Sequence, residues 1–596
     1  MRSKNWSFNL SLPVLRKDLT RFWPVWGSYL AIWLLILPIP LLNDLDRDGQ
    51  LLPSIHSLIV SAGSSTALVM SLIFGGLSAF AVWSYLYQGR SASLFHALPV
   101  DRDTLFRSHF AAGLGSLLGV NLVIALLTWF CQLSAGSADP TLLLQWLLIV
   151  SLENLLFFSI GTVAAHLTGN LPTMPVLYAL LNFAIPACET LMIEFACSLY
   201  YGVNSIDMRL SWLSPFIYLV GADASMYMEQ TGDITVAYRL RQFNPEFLRL
   251  LVLYALAALA LTAIALLLYR RRATESAGDV IAVPWLRPVA KYAFSLGCAL
   301  VLGWIFHEIL FSGEENALSI LLALLLGAVI GYLTAAMLLK KSFRVFQPRQ
   351  LLGFVPVVLA LGLWITALHF DLFNIQNHVP DSNDVLRATI NCEYQLTVDQ
   401  PQDLFLVEEL HRTVLRYGRE SVPGSDMLHF SLKYELENGT TLRRSYSIPY
   451  SEALSHDLTA PAGALARLMR QPEHAVAGNL PPVDAIYQDI DLSLMSIQAF
   501  ASPNKPFEYD YCMVYPMDGR RLTAALREDM LAGRIGVWNP TWSDRDAMFS
   551  LSFCYSLPGQ SNTDLRNHIT IWTDEQPTRT LEVLTELGYL TEVPDA

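Results

Sequence analysis

The chain has 596 residues, of which 53% are hydrophobic and only 15% charged, a balance too apolar for a soluble enzyme of this size. The charge is unevenly spread: from Asn374 onward there are 17 Lys+Arg against 31 Asp+Glu, so that region holds about the whole formal charge of −13. Such acidity argues against nucleic acid as a partner, because binding it needs a basic surface to displace counterions from phosphate.

The N-terminal segment 1–21 is polar and basic, with no short apolar core and no small-residue cleavage site, so no signal peptide is expected and the first span should anchor itself. A hydrocarbon core of about 30 Å takes roughly 20 apolar residues at helical rise. Runs that meet this length predict nine spans, at 22–42, 58–86, 110–130, 143–165, 173–199, 248–269, 292–311, 320–339 and 351–368. With the N-terminus inside, the inner segments hold 17 Lys+Arg and the outer loops four, namely Arg47, Arg209, Arg239 and Arg241. That asymmetry follows the positive-inside rule. An odd number of spans then puts the tail outside.

In the tail, alternating and helical spacings suggest a duplicated βαββα module. Its first half reads as a strand at 386–398, a helix at 403–417, a hairpin of 428–436 with 441–448, and a helix at 460–470. The hairpin turn is Glu437-Asn438-Gly439, where Asn-Gly tolerates positive φ, so the Asn438-Gly439-Thr440 sequon reads as turn chemistry. The second half reads as a strand at 509–515, a helix at 520–532, strands at 548–555 and 568–573, and a helix at 579–587. The fold class is thus a polytopic α-helical membrane protein of about nine spans with a C-terminal soluble α+β domain.

Catalytic and metal signatures are absent from the sequence. There is no GxxxxGK[ST], no GxSxG, and His307-Glu308 lacks the second histidine of HExxH. His378, His411, His429, His456, His474 and His568 are scattered rather than spaced as ligands. Of seven cysteines, Cys131, Cys188, Cys197 and Cys298 fall in or beside spans, and Cys392, Cys512 and Cys554 leave room for one bridge at most. No cofactor and no catalytic residue are expected in this chain.

Ionisable groups inside spans are costly, and each is a candidate for function. Glu153 and Asn154 in the fourth span and Glu189 in the fifth could line a translocation path; the alternative is a carboxyl satisfied by a neighbouring helix or kept neutral by burial. Glu194, His307 and Glu308 lie near an interface, where snorkelling is cheap. The most informative loop is 87–106. Residues 91–97 can form a short helix that projects Leu94 and Phe95, with Leu98 after them; Pro99 stops it, and Asp101 can cap the next span. A short apolar-tipped helix between two long spans suits the transmission of force from a separate motor, and its plain alternative is an interfacial turn resting on headgroups.

The run Ser93-Leu-Phe-His-Ala-Leu-Pro-Val-Asp-Arg-Asp-Thr-Leu-Phe106 resembles the "HsLPv.R..lf" loop of a group of bacterial ABC transporter permeases. The hairpin Tyr434-Glu-Leu-Glu-Asn-Gly-Thr-Thr-Leu-Arg-Arg-Ser-Tyr446 is similar to the "NG...R.Y" strand pair of their C-terminal region. The resemblance implies a cytoplasmic amphipathic segment at 1–21, a six-span export-permease core at 22–270, three additional spans at 271–371 and an extracytoplasmic α+β domain at 372–596. It implies a bacterial plasma-membrane location, ATP used through a separately encoded ATPase subunit, a second permease copy or a related permease, and surrounding lipids. Leu94, Phe95, His96, Leu98, Pro99 and Arg102 would couple to that ATPase, and the cargo would be a lipid, peptide or antimicrobial compound. The competing reading is a membrane sensor or scaffold whose outer domain binds a ligand or partner protein.

Overall fold

The computed structural model of the chain describes residues 10–44, 51–96, 99–134, 139–222, 224–231, 237–272, 276–311, 316–348, 352–392, 394–419, 425–494, 511–538, 540, 547–557 and 565–590. Long charge-free runs satisfy their own backbone only as helices where water is absent. Among the described residues nine helices are long and apolar enough to cross a membrane: Trp23–Leu42, Ile55–Tyr87, Arg102–Ser134, Pro140–Leu167, Thr173–Leu199, Pro245–Arg271, Leu286–Leu310, Ala317–Lys340 and Leu352–His369. They coincide with the nine predicted spans, several reaching further because caps rather than hydropathy set their ends. Asp139 accepts hydrogen bonds from the amides of Thr141 and Leu142 ahead of Pro140, and Asn244 does the same for Glu246 ahead of Pro245. The second span is broken by a π turn at Ala62–Thr66, inside which Ser64 leaves helical geometry (φ −93°, ψ −121°).

The chain divides into two compact units, Met1–Glu194 with Asp207–Thr366, and Phe195–Ile206 with Ala367–Ala596. In the first unit, spans one to four share a core around Tyr29, Trp33, Phe74, Ile124, Trp146 and Phe157, with the rings of Trp33 and Trp146 edge-on at 5.1 Å. Spans seven and eight pack on small residues. A Cβ at Gly327 would stand 2.8 Å from the Cys298 carbonyl oxygen, and one at Gly303 would stand 2.9 Å from the Cα of Leu324, so these backbones touch only because neither position has a side chain. Between spans five and six the permease resemblance implies a long outer loop with short helices, at 200–247. The structure has a 3-10 turn at Ser211–Leu213 and a helix at Pro215–Gly221, followed by an antiparallel hairpin of β1 (Ser225–Thr231) and β2 (Ala237–Phe243) that was not anticipated.

The second unit holds two four-stranded antiparallel sheets. One is built from β3 (Val385–Asn391), β4 (Gln395–Val398), β5 (Asp426–Leu436) and β6 (Thr441–Tyr450), in the order β4-β3-β5-β6. The other is built from β7 (Ile486–Leu494), β8 (Tyr511–Val514), β9 (Ala547–Ser556) and β10 (Leu565–Trp572), in the order β10-β9-β7-β8. Read from the second strand of each, the two orders are the same. A helix follows the second strand of each sheet, Pro401–Tyr417 and Gly519–Leu531, and another follows the fourth, Pro461–Met469 and Thr578–Glu586. The repeated unit is therefore ββαββα, one strand longer than the predicted βαββα. The predicted strand at 386–398 is a hairpin of β3 and β4, paired from Ala388 with Val398 to Asn391 with Gln395.

The predicted Asn-Gly turn is present. Gly439 has φ +78°, and the Asn438 side chain accepts from the amide and hydroxyl of Thr440 at 2.9 and 2.6 Å, so that side chain is engaged in the turn. Residues 201–202, which the sequence reading placed in a loop between spans, lie along the open edge of β6. The Gly202 carbonyl accepts from the Ser445 amide at 2.9 Å, and the Tyr201 hydroxyl donates to the Ser447 carbonyl at 3.1 Å. Cys554 is a free thiol, so it does not form the bridge the cysteine count left open.

Candidate functional site

The loop after the second span tightens into a 3-10 turn, Ser84–Tyr87, and re-enters a helix at Gly89–His96. Its two apolar side chains, both expected to project outward, have opposite fates. Leu94 is 64% exposed, whereas Phe95 is only 7% exposed. The Phe95 ring packs on Tyr85 at 4.6 Å and on His109 at 5.4 Å, and the Lys17 ammonium lies 4.6 Å from its centroid. An aromatic ring flanked by two others and faced by a cation is held by area and by electrostatics together. Phe95 is thus the seat of the loop helix and not its outward contact.

The seat reaches the N-terminal helix Leu12–Arg21 and the third span. Asp18 and His109, both buried, are joined through Oδ2 and Nδ1 at 2.5 Å, and the Ser11 amide donates to the Ser108 hydroxyl at 2.8 Å. Pro99 is exposed, while His96 closes the loop helix; its side chain, and the whole of Leu98, lie outside the described residues. Arg102 is turned toward the chain itself: its guanidinium donates to the carbonyls of Arg270 and Arg272 at 3.2 and 3.4 Å. Of the six residues assigned to the ATPase contact, Leu94 and Pro99 are described as exposed and free to make it.

The same end of the first unit is knotted by basic side chains on helix C-termini, where carbonyls lack intrahelical donors. Arg272 donates to Ala165 and Leu86 carbonyls, at the ends of spans four and two, at 3.0 and 3.4 Å. Arg270 makes a two-pronged bond to Asp103 at 2.7 and 2.5 Å. Residues 276–282 pair with the turn after span four, through Gly169 amide to Asp279 carbonyl at 2.9 Å and Ala282 amide to Leu167 carbonyl at 2.8 Å. The Asp279 carboxylate then bridges Lys341 and Arg287, at 2.7 and 2.8 Å. The Lys341 hydrogen bond, ahead of the charge of Arg287, holds its pKa below the usual carboxylate value. Sequence reasoning counted these arginines toward orientation but did not see that they close helix ends, because carbonyl partners leave no mark on side-chain pattern.

The ionisable and polar candidates inside the long apolar helices separate into two cases. Glu153 and Asn154 are fully buried among spans one to four. The Ser71 hydroxyl donates to Glu153 Oε2 at 3.3 Å, Asn154 Nδ2 donates to the Tyr29 hydroxyl at 2.8 Å, and that hydroxyl donates to Asn121 Oδ1 at 2.9 Å. Glu153 Oε1 and Asn154 Oδ1 have no hydrogen-bond partner among the described residues. A path along these residues requires the four spans to part. Glu189, in contrast, is half-buried and occupied by its own loop: its carboxylate accepts the Arg209 amide at 2.6 Å and the Leu210 amide at 2.9 Å. A carboxylate holding two amides of the following loop does not need a path to explain it.

Compared with protein-family models, with curated proteins and with solved structures, the chain matches none. Among the described residues no group of three or more His, Cys, Asp or Glu is placed to hold a metal ion.

Proposed function

We propose that this chain is the membrane-spanning permease subunit of an ABC-type exporter, driven by a separate ATPase subunit and moving a lipid, peptide or antimicrobial compound. The observation that supports this best is the loop helix Gly89–His96. It is locked through Phe95 onto the N-terminal helix and the third span, and it leaves Leu94 bare between two long helices. A helix fixed on one face and open on the other suits a contact that passes displacement from a motor into the spans, since a rigid seat loses little of the motion applied to its open face. The sequence resemblance of residues 93–106 to the permease loop points to the same residues. The N-terminus and this loop would face the cytoplasm of a bacterial plasma membrane, and a second permease copy or a related permease would complete the pathway.

The test is Leu94→Asp in the full chain. The expected result is unchanged membrane insertion and protein level, with loss of ATPase capture or at least a tenfold loss of coupled hydrolysis, about 1.4 kcal/mol of contact energy. Capture and hydrolysis equal to wild type would put the motor contact elsewhere and return the sensor or scaffold reading to first place.

A further inference from the structure

The second unit contains an open polar groove of about 460 Å³, lined chiefly by Asn374, Asn377, His378, Arg412, Leu415 and Arg416. Two carboxylates touch its lining, and both are spent. Glu408 takes Arg412 at 2.6 Å on one oxygen and the Ser382 amide at 2.9 Å on the other. Asp371 takes the amides of Ile375, Gln376 and Asn377, and also the Asn377 side chain, at 2.7 to 3.1 Å. Arg416, one helical turn beyond Arg412 on the same face, is exposed and has no acidic partner among the described residues. His378 is exposed beside it. The groove therefore presents an uncompensated cation with imidazole and amide donors, which is the chemistry that takes an oxyanion.

Its place along the chain narrows the anion. The last candidate span ends at His369, and Asn374 follows five residues later, no more than about 18 Å away even if fully extended. Between them Phe370, Leu372 and Phe373 are 69%, 71% and 67% exposed. Bare aromatic and aliphatic side chains at the end of a span belong in the interfacial layer, and the headgroup region extends only about 5–8 Å past the hydrocarbon on each side. We propose that this groove binds the phosphate of a lipid headgroup in the leaflet into which the ninth span emerges. Arg416 is its free cation, His378 and Asn374 are its donors, and Phe370, Leu372 and Phe373 seat in the interface beneath it. The proposal rests on the chain being embedded in a membrane and is independent of the transport reading.

The experiment is native mass spectrometry of the full chain released from nanodiscs of phosphatidylcholine doped with phosphatidylglycerol. Wild type is expected to retain phosphatidylglycerol. The double variant Arg416→Gln/His378→Gln should retain about fivefold less or lower, the effect of removing one cation at a headgroup, while Arg416→Lys retains most and the distant Arg566→Gln is unchanged. Recovery of all variants in discs at wild-type yield separates lost binding from lost folding. Equal retention by wild type and the double variant overturns the proposal. So does binding of inorganic phosphate in phosphatidylcholine discs without any preference for phosphatidylglycerol, which would make the groove a free-anion site.

Discussion

The Phe95 ring fills a seat made by Tyr85, His109 and Lys17, so truncating it leaves a cavity as well as losing buried area. Phe95→Ala is expected to lower stability by roughly 3–5 kcal/mol, whereas Leu94→Ser, on the open face, should change it by less than about 0.5 kcal/mol; thermal unfolding in detergent reads both. A second residue makes a pH prediction. His411 is buried between the hydroxyls of Tyr434 and Tyr446, at 3.1 and 2.7 Å. Burial, with Arg444 adding to it, pushes its pKa down from 6.5 to about 3. The unfolded chain thus binds a proton that the folded unit refuses, and stability falls as pH drops from about 6.5 toward 3. Unfolding measured between pH 6.5 and 5, above the carboxylate range, should show this loss, and His411→Gln should remove most of the slope. The opposing roles of Leu94 and Phe95 were not legible in the sequence: both are apolar and adjacent, and which one turns inward depends on Tyr85, His109 and Lys17 from three other segments.

At the scale of elements, the edge of β6 is closed by residues distant in sequence. Gly202 has φ +78°, and a Cβ there would fall 1.9 Å from Tyr446, so Gly202→Ala combines a strained backbone with a clash against a buried ring. It should detach this segment, seen as faster hydrogen exchange of the Ser445 amide, while the Asn-Gly hairpin stays protected. A tail fragment of residues 372–596 alone should likewise exchange at Ser445, and joining residues 195–206 to it should restore protection. Alternation and turn chemistry made β5, β6, β9 and β10 legible, because each shows period-two burial and the first pair has an Asn-Gly turn. Two elements were hidden. A register shift between Tyr487 and Asp489 breaks the alternation of β7 and leaves Ile486 exposed, although Ile490-Asp491-Leu492-Ser493-Leu494 still carried the signal. The sequence joining β3 to β4 has neither Gly nor Pro to mark a turn.

For the whole molecule, the nine candidate spans among the described residues were legible because a helix long and apolar enough to cross a bilayer is written as a long uncharged run whatever the tertiary packing. The grouping of residues 195–206 with the tail was not, since hydropathy follows chain order and this unit is assembled from two separate stretches. The charge asymmetry gives an orientation that can be checked. In a cysteine-free background, Ser342→Cys should react with a membrane-impermeant thiol reagent only after permeabilisation, and Asp207→Cys should react in intact cells; the reverse pattern would invert the topology. The proposed coupling needs a separate motor bound to this chain. The most direct measurement is co-purification of the tagged full chain from its native membrane, followed by mass spectrometry of the bound chains and an ATPase assay. The expected result is a Walker-motif ATPase in the complex, with hydrolysis lost in Leu94→Asp. Recovery of the chain without any such subunit and without nucleotide hydrolysis would contradict it.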